Sequence, residues 1–371
     1  MDGAGRVLAV IHETEHGGGP IFVRTLLDAV GPPTTWALAS AGGGWVWTDL
    51  GRRGVERFRI SIGLKRSLAI GARQLRDVIT CWQPDVVLAF GQFAGAASAL
   101  ALTGKRARPR FVYSAQFPSF YTDFDRLRTA RNWLAERFTA GAADALIALN
   151  DDDADEFCTR GLSDPAKITV IPNAVDVTEF APADEVRSNG FVVGFVGRLD
   201  DLKGVDTLID AVAILEDRAR GSVSCRVIGD GERRRALERR AAGLRERGVI
   251  EFSGQQVIDS SAYHSFDVLA VPSEREPFGI VALEAMASGT PVVASAVGGL
   301  KMSVVDGETG YLVLPGDPVA LADRLDRLRR DPELRLRFGT AGAARARACF
   351  DAPRIAAMYS EVLAGGAQWT T

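Results

Sequence analysis

The feature that most restricts the fold is an alternation of short apolar runs with longer helical patterns along the whole chain. Val7–Ile11 reads as a first strand, followed by a glycine loop, Gly17-Gly18-Gly19-Pro20, and a helix from Ile21. Asp85–Phe90 reads as a strand with an Ala-rich helix after it, and Arg110–Ser114 and Ala145–Leu149 read as further strands. Uninterrupted apolar strands alternating with helices belong to parallel sheets covered on both faces. Around 172–190 the texture changes: Pro172, Pro182, Asp184, Ser188, Asn189 and Gly190 mark a linker. A second series then begins. Phe191–Val196, Ser224–Ile228, Val249–Phe252, Val268–Val271 and Pro291–Ala294 read as strands, and Val205–Leu215 and Arg233–Arg245 as helices. The expected architecture is α/β, with two Rossmann-like domains, 1–180 and 190–352. In such sheets ligands sit outside the carboxyl ends of the strands, so two facing sheets would hold a ligand in the cleft between them.

With 371 residues, 47% of them apolar and 25% charged, the chain is neither disordered nor collagen-like nor a disulfide mini-protein. A net charge of −3 argues against a nucleic-acid partner. Cys81, Cys158, Cys225 and Cys349 lie far apart, and the histidines are only His12, His16 and His264. No metal site is therefore expected, the compartment reads as reducing and cytosolic, and the cysteines read as small buried hydrophobes. No secretory signal is visible at Val7–Ile11, and Leu88–Leu102 is too short and too diluted to span a membrane, so it reads as a buried helix. The expected location is cytoplasmic, with peripheral membrane contact left open. From Arg52 to Arg137 there are 16 Lys and Arg against 6 Asp and Glu. That excess fits either a solvated arginine-rich surface or a face for an anionic partner or lipid headgroups. Arg126–Phe138 fits either an interfacial helix or an ordinary surface helix.

The most informative stretch is Pro272–Pro291. Glu276 precedes Pro277, whose fixed φ suits a tight loop. Phe278-Gly279-Ile280 should open a helix whose unpaired amides and dipole favour phosphate, and Gly279 would let a ligand approach the backbone. Glu284 would lie about one turn into that helix, facing the same cavity as Glu276, and Gly289 and Pro291 end it. Two carboxylates beside a phosphate-binding helix start suit a ligand with both phosphate and hydroxyl groups, although both glutamates could equally be exposed helix-start residues. Gly197-Arg198…Lys203-Gly204 follows a strand and precedes a helix; there Arg198 and Lys203 can clamp a diphosphate or simply decorate the surface. Gly229-Asp230-Gly231 reads as a backbone-approach turn at the same sheet edge. Gly17-Gly18-Gly19 could bring amides onto a phosphate from the first domain, but it does not match the dinucleotide fingerprint.

Taken together, these residues resemble the retaining GT-B glycosyltransferases of the large family four group. Val170–Asp176 with Phe180 looks like its interdomain PNGVD segment, Gly197-Arg198 with Lys203-Gly204 like its GR…KG motif, and Glu276…Glu284 like its E-x7-E motif. Gly298-Gly299 and Asp306-Gly307…Thr309-Gly310 look like its GG and DG.TG signatures. The resemblance runs from Val170 to Asp317 and is weaker in the first half. It implies that Gly197, Arg198 and Lys203 meet the donor diphosphate and that Glu284 holds the ribose hydroxyls. Glu276 would hold a donor-sugar hydroxyl, with Phe278, Gly279 and Ile280 contacting phosphate and sugar through the backbone. Gln256 and Val257 would lie near the base, and Gly18 would support the phosphate from the first domain. Pro353–Leu363 would be a helix crossing back onto the first domain, within a returning segment 353–371. The catalytic set is then Arg198, Lys203 and Glu276, with no cofactor beyond a nucleoside-diphosphate sugar, a UDP-sugar being favoured.

Two departures bear on the sugar. Leu88–Gln92 lacks the histidine many relatives carry there, and Gln116 stands where another is common. Gln92, Gln116, Glu15 and His16 are the candidates to replace them. The expected reaction is retaining transfer of a hexose or N-acetylhexosamine to an acceptor hydroxyl; the acceptor is unidentified, a lipid, a growing polysaccharide and a small aglycone all being open, and the basic stretch leans towards an anionic or membrane-borne one. The alternatives are a catalytically silent nucleotide-sugar-binding homologue and a nucleotide-sugar epimerase. A phosphorylase is disfavoured, because no lysine for pyridoxal phosphate is signposted.

Overall fold

The computed structural model describes residues 5–12, 14, 18–31, 34–62, 68–104, 107–121, 126–183 and 190–365. The chain divides into two compact units: Met1–Asn173 with Ala352–Thr371, and Ala174–Asp351. The first carries a sheet of β1 (Arg6–Ile11), β2 (Thr35–Ser40), β3 (Glu56–Arg59), β4 (Val86–Phe90), β5 (Arg110–Ser114), β6 (Ala145–Ala148) and β7 (Ile168–Val170), in the order β3-β2-β1-β4-β5-β6-β7. The second carries β8 (Phe191–Val196), β9 (Val223–Ile228), β10 (Ile250–Gly254), β11 (Val268–Val271), β12 (Val292–Ser295) and β13 (Gly310–Val313), in the order β10-β9-β8-β11-β12-β13. Every pairing is parallel.

The central strands have no solvated face. β4, β8 and β11 are buried along their whole length, because helices cover both sides of a parallel sheet. In the second unit, Leu208, Val212 and Leu215 of the helix Val205–Arg218 share one core with Val193 and Val227. In the first, Leu75 and Ile79 of the helix Leu68–Trp82 share a core with Leu8, Val10 and Val87. Strand order reverses between β1 and β4 in one sheet and between β8 and β11 in the other. At such a point successive crossovers leave on opposite faces, and a crevice opens at the strand ends.

Several local readings change. The glycine loop and the helix from Ile21 are in fact a helix Gly18–Ala29. Its first turn tolerates Pro20, because the missing N–H would be unpaired there anyway; Gly17 lies outside the described residues. Leu88–Leu102 is not one helix but the end of β4 followed, across Gly91, by the helix Gln92–Leu102. Arg233–Arg245 breaks at Ala241 into the helices Arg234–Arg240 and Ala242–Glu246. Of the four cysteines, only Cys225 is buried; Cys81 is exposed and the other two are half-buried, and all four are free thiols. Residues 174–180, ascribed from sequence to the first domain, belong with the second. Val175 donates to the Phe350 carbonyl (2.9 Å), and Phe180 packs edge-on against Tyr263.

Ala352 begins the helix Ala352–Leu363, which belongs to the first unit. Tyr359 anchors it. The ring is fully enclosed beside Phe22 (5.7 Å) and Phe90 (6.4 Å), and its hydroxyl hydrogen-bonds Ser114 Oγ at 2.9 Å. Among the described residues no helix is long and apolar enough to cross a membrane.

Candidate functional site

The crevice of the second unit is built from three loops laid side by side. Gly197 donates to the Ile228 carbonyl (3.0 Å), Leu199 to Asp230 (2.9 Å) and Gly229 to Gly254 (2.8 Å), which ties together the ends of β8, β9 and β10. A Cβ on Gly229 would sit 1.8 Å from the Gly197 carbonyl oxygen. The glycine in this turn is therefore explained by the crossing of two protein loops. Asp200 then caps the short 3-10 turn Asp201–Lys203 by accepting from Leu202 N–H (3.1 Å). The loop after β11 docks on it through Glu274 N–H and the Leu202 carbonyl (2.8 Å).

That docking brings Lys203 and Glu276 together. Lys203 Nζ lies 2.6 Å from Glu276 Oε2, which also accepts from Ser273 Oγ at 3.2 Å. Glu276 is only 6% exposed, and Lys203 is partly buried. An ion pair in a desolvated place is retained only where geometry is good and lone pairs are filled, and the Ser273 hydroxyl fills one here. The pair thus presents a fixed cation and a fixed acceptor at the strand ends, the combination a ligand with anionic and hydroxyl groups needs.

Gly279 is the N-cap of the helix Ile280–Ala287, with φ +85° and no side-chain cap on the helix amides. The left-handed backbone favours glycine, and a Cβ there would also meet a Leu300 methyl at 2.6 Å, which that side chain would have to yield. The Phe278 side chain is buried against Phe350 (5.9 Å). Ile280 is the first helical residue.

Glu284 sits in this helix, but not facing the partners of Glu276. Its carboxylate is buried and accepts the Tyr263 hydroxyl through Oε2. Burial pushes its pKa up to about 7; the Tyr263 bond opposes that rise, and the charge of Glu179 adds to it. Burial, and then Glu284, hold the Tyr263 phenol well above its ordinary value. The exposed-helix-start reading of these glutamates is thereby overturned: both are nearly inaccessible and both are partnered.

The other candidates are scattered. Arg198 is 63% exposed, and its guanidinium lies 3.1 Å from Asp200 Oδ2. Gln256 and Val257 occupy an exposed loop after β10, Val257 almost fully in solvent. Gly18 is the first residue of its helix in the first unit. Gln92 donates to the Asn132 carbonyl (3.2 Å) and Gln116 to Ser114 Oγ (2.9 Å); Glu15 and His16 lie outside the described residues. Sequence reasoning missed Ser273, Asp200, Tyr263 and Glu179. Ser273 lies three residues before Glu276 in the same loop, and nothing in that spacing alone announces the bond between their side chains. Tyr263 has no signal either, since its bond to Glu284 is purely tertiary.

Two family models match the chain: Glycosyltransferase Family 4 over residues 30–179 and Glycosyl transferases group 1 over residues 176–345. The chain belongs to the group 1 glycosyltransferases. Among curated members it is similar to the D-inositol 3-phosphate glycosyltransferase of Actinosynnema mirum, 40% identical over 54% of this chain and 53% of that protein. The enzyme of the same name from Streptomyces avermitilis is 34% identical over 66% and 56%. The chain thus spans about half the length of the curated relatives it matches. Its fold is that of GT-B glycosyltransferases. Anabaena HepE, solved with UDP and glucose, superposes with a TM-score of 0.83 at 23% identity, over 96% of this chain and 99% of that one. Sucrose-phosphate synthase from Thermosynechococcus elongatus gives 0.82 at 22% identity, over 97% and 98%.

Proposed function

We propose that this glycosyltransferase moves a hexose or N-acetylhexosamine from a nucleoside-diphosphate sugar to an acceptor hydroxyl with retention of configuration. The observation that carries the reading is the Lys203–Glu276 pair, held between the loops after β8 and β11 in front of the uncapped helix at Gly279. Lys203, joined by Arg198 and the helix amides, would stabilise charge developing on the departing diphosphate, with no call on a metal ion. Glu276 would accept a donor-sugar hydroxyl and Glu284 the ribose hydroxyls. The acceptor hydroxyl would attack from the face the diphosphate leaves, and a leaving phosphate oxygen would take its proton. A UDP donor is favoured, in keeping with the UDP-bound HepE structures. The excess of Lys and Arg between Arg52 and Arg137 supports an anionic acceptor, and the similar enzymes are named for a phosphorylated cyclitol. We place the reaction in the cytoplasm, with any membrane contact peripheral.

Slow donor hydrolysis across UDP-, GDP- and ADP-sugars, with Lys203→Ala as control, tests this reading. Release of one nucleoside diphosphate, lost in the variant, identifies donor and reaction together. Absence of both release and nucleoside-diphosphate binding refutes the donor site.

A further inference from the structure

Tyr263 has no part in the reaction as described above, yet it is firmly seated beside Glu284. Its ring is wedged edge-on between Phe180 (5.9 Å) and Phe266 (6.4 Å). Its carbonyl accepts from Thr290 Oγ1 (3.0 Å), and its short helix, Ser260–His264, is capped by Asp259. The fully buried phenol therefore has one orientation, and it donates to Glu284 Oε2. A carboxylate offers about four lone-pair sites over two oxygens, so this bond occupies one oxygen and leaves the other for a ligand.

We propose that Tyr263 is a positioning residue for the nucleotide: by donating to Oε2 it holds the Glu284 carboxylate in place and charged, with Oε1 left to accept the ribose hydroxyls. This rests on the reading that Glu284 receives the ribose. A protonated Glu284 keeps only part of its acceptor capacity, so binding favours the charged form. The groups around the helix Ile280–Ala287 leave few competitors for control of that charge. His264 turns to the Ala181 carbonyl (2.9 Å), and Glu276 faces Lys203. On the helix Pro332–Cys349, Arg345 donates to the Ser303 and Met302 carbonyls and Arg335 to the Leu328 and Arg329 carbonyls, while Glu333, Arg337 and Arg347 are exposed. Lys301 on the helix Gly299–Ser303 is exposed, and β11 and β12 carry no titratable side chain. Tyr263 and Glu179 remain, and they act in opposite directions: the hydroxyl favours the carboxylate and the Glu179 charge opposes it.

The test is calorimetric titration of UDP, with GDP and ADP alongside, from pH 6 to 9 for the wild type, Tyr263→Phe, Glu179→Gln and Glu284→Gln. Wild-type affinity should fall as pH drops through about 7. Tyr263→Phe should move that midpoint upward, giving about fivefold weaker binding at pH 7 for a tenfold loss of carboxyl acidity, and near-equality with wild type at pH 9. Glu179→Gln, at an exposed position, should move the midpoint downward. It keeps the test decisive if Tyr263→Phe fails to fold. Weakening by Tyr263→Phe that is uniform across pH, or an unmoved midpoint in Glu179→Gln, overturns the proposal. If Glu284→Gln abolishes the pH dependence while Tyr263→Phe keeps the wild-type profile, the positioning role falls and the ribose reading stands. If Glu284→Gln binds as the wild type does, or no nucleoside diphosphate binds at all, the ribose reading itself falls.

Discussion

The two sheets share a strand order but not the equipment at the point where it reverses. In the first unit β4 passes through Gly91 alone into the helix Gln92–Leu102, and the polar side chains placed there, Gln92 and Gln116, are neutral and bonded within their own unit. In the second unit β11 passes through the loop Pro272–Gly279, long enough to carry Ser273 and Glu276 and to dock against the turn bearing Lys203. Topology decides where a crevice opens; the length and charge of the connecting loop decide what it can hold. Among the described residues the first edge presents neutral amides and the second a fixed ion pair.

The largest effect should therefore come from the charged edge. Lys203→Ala is expected to lower turnover about 10²-fold or more, as loss of one preorganised stabiliser does. Gln92→Ala, its counterpart on the neutral edge, should cost less than tenfold; equal losses in steady-state assays would break the comparison. Next comes Glu284→Ala, expected to weaken nucleoside-diphosphate binding by about 1–3 kcal/mol through lost charge-assisted hydrogen bonds. Calorimetry checks it, and unchanged affinity would remove Glu284 from the site.

A third effect is on stability and belongs to the first unit. Asp153, in the helix Asp151–Thr159, is buried and accepts the Tyr121 hydroxyl (2.7 Å), and burial raises its pKa from 3.8 to about 7. The folded chain then keeps a proton that the unfolded chain releases, so stability should fall as pH rises from about 4 to about 7. Asp153→Asn should flatten the Tm profile between about pH 4 and 7 without altering nucleotide affinity. The smallest effect is Tyr359→Phe, expected to cost about 1 kcal/mol of stability by removing the bond to Ser114. Chemical denaturation measures it; a loss of donor binding instead would show that the neutral edge takes part in donor recognition.

The parts legible in the sequence are those governed by local pattern. β5, β8 and β11 fall on their apolar runs to the residue, and the helix at Ile280 starts where a glycine precedes an apolar run. The misreadings have local causes as well. Gly18-Gly19-Pro20 carries loop residues that the first turn of a helix also accepts. The break at Ala241 falls two residues before Gly243, a weak helix former that the helical reading ran through. At the site, residue types and spacing pointed to Lys203, Glu276 and Glu284, but not to the fact that Lys203 pairs with Glu276 while Glu284 answers to Tyr263. Those partners are set by which loops neighbouring strands bring together, information that spacing along the chain does not carry.

The return of the helix Ala352–Leu363 to the first unit has a consequence for biosynthesis. Chains usually fold on the ribosome from the N-terminus onward. Here the first unit leaves off at Asn173 and is completed only by residues translated after the whole of Ala174–Asp351. The second unit, contiguous in the chain, is the one that can finish first. Until Tyr359 emerges, the pocket between Phe22, Phe90 and Ser114 stands open in the nascent chain, and the half made first is the half that must wait.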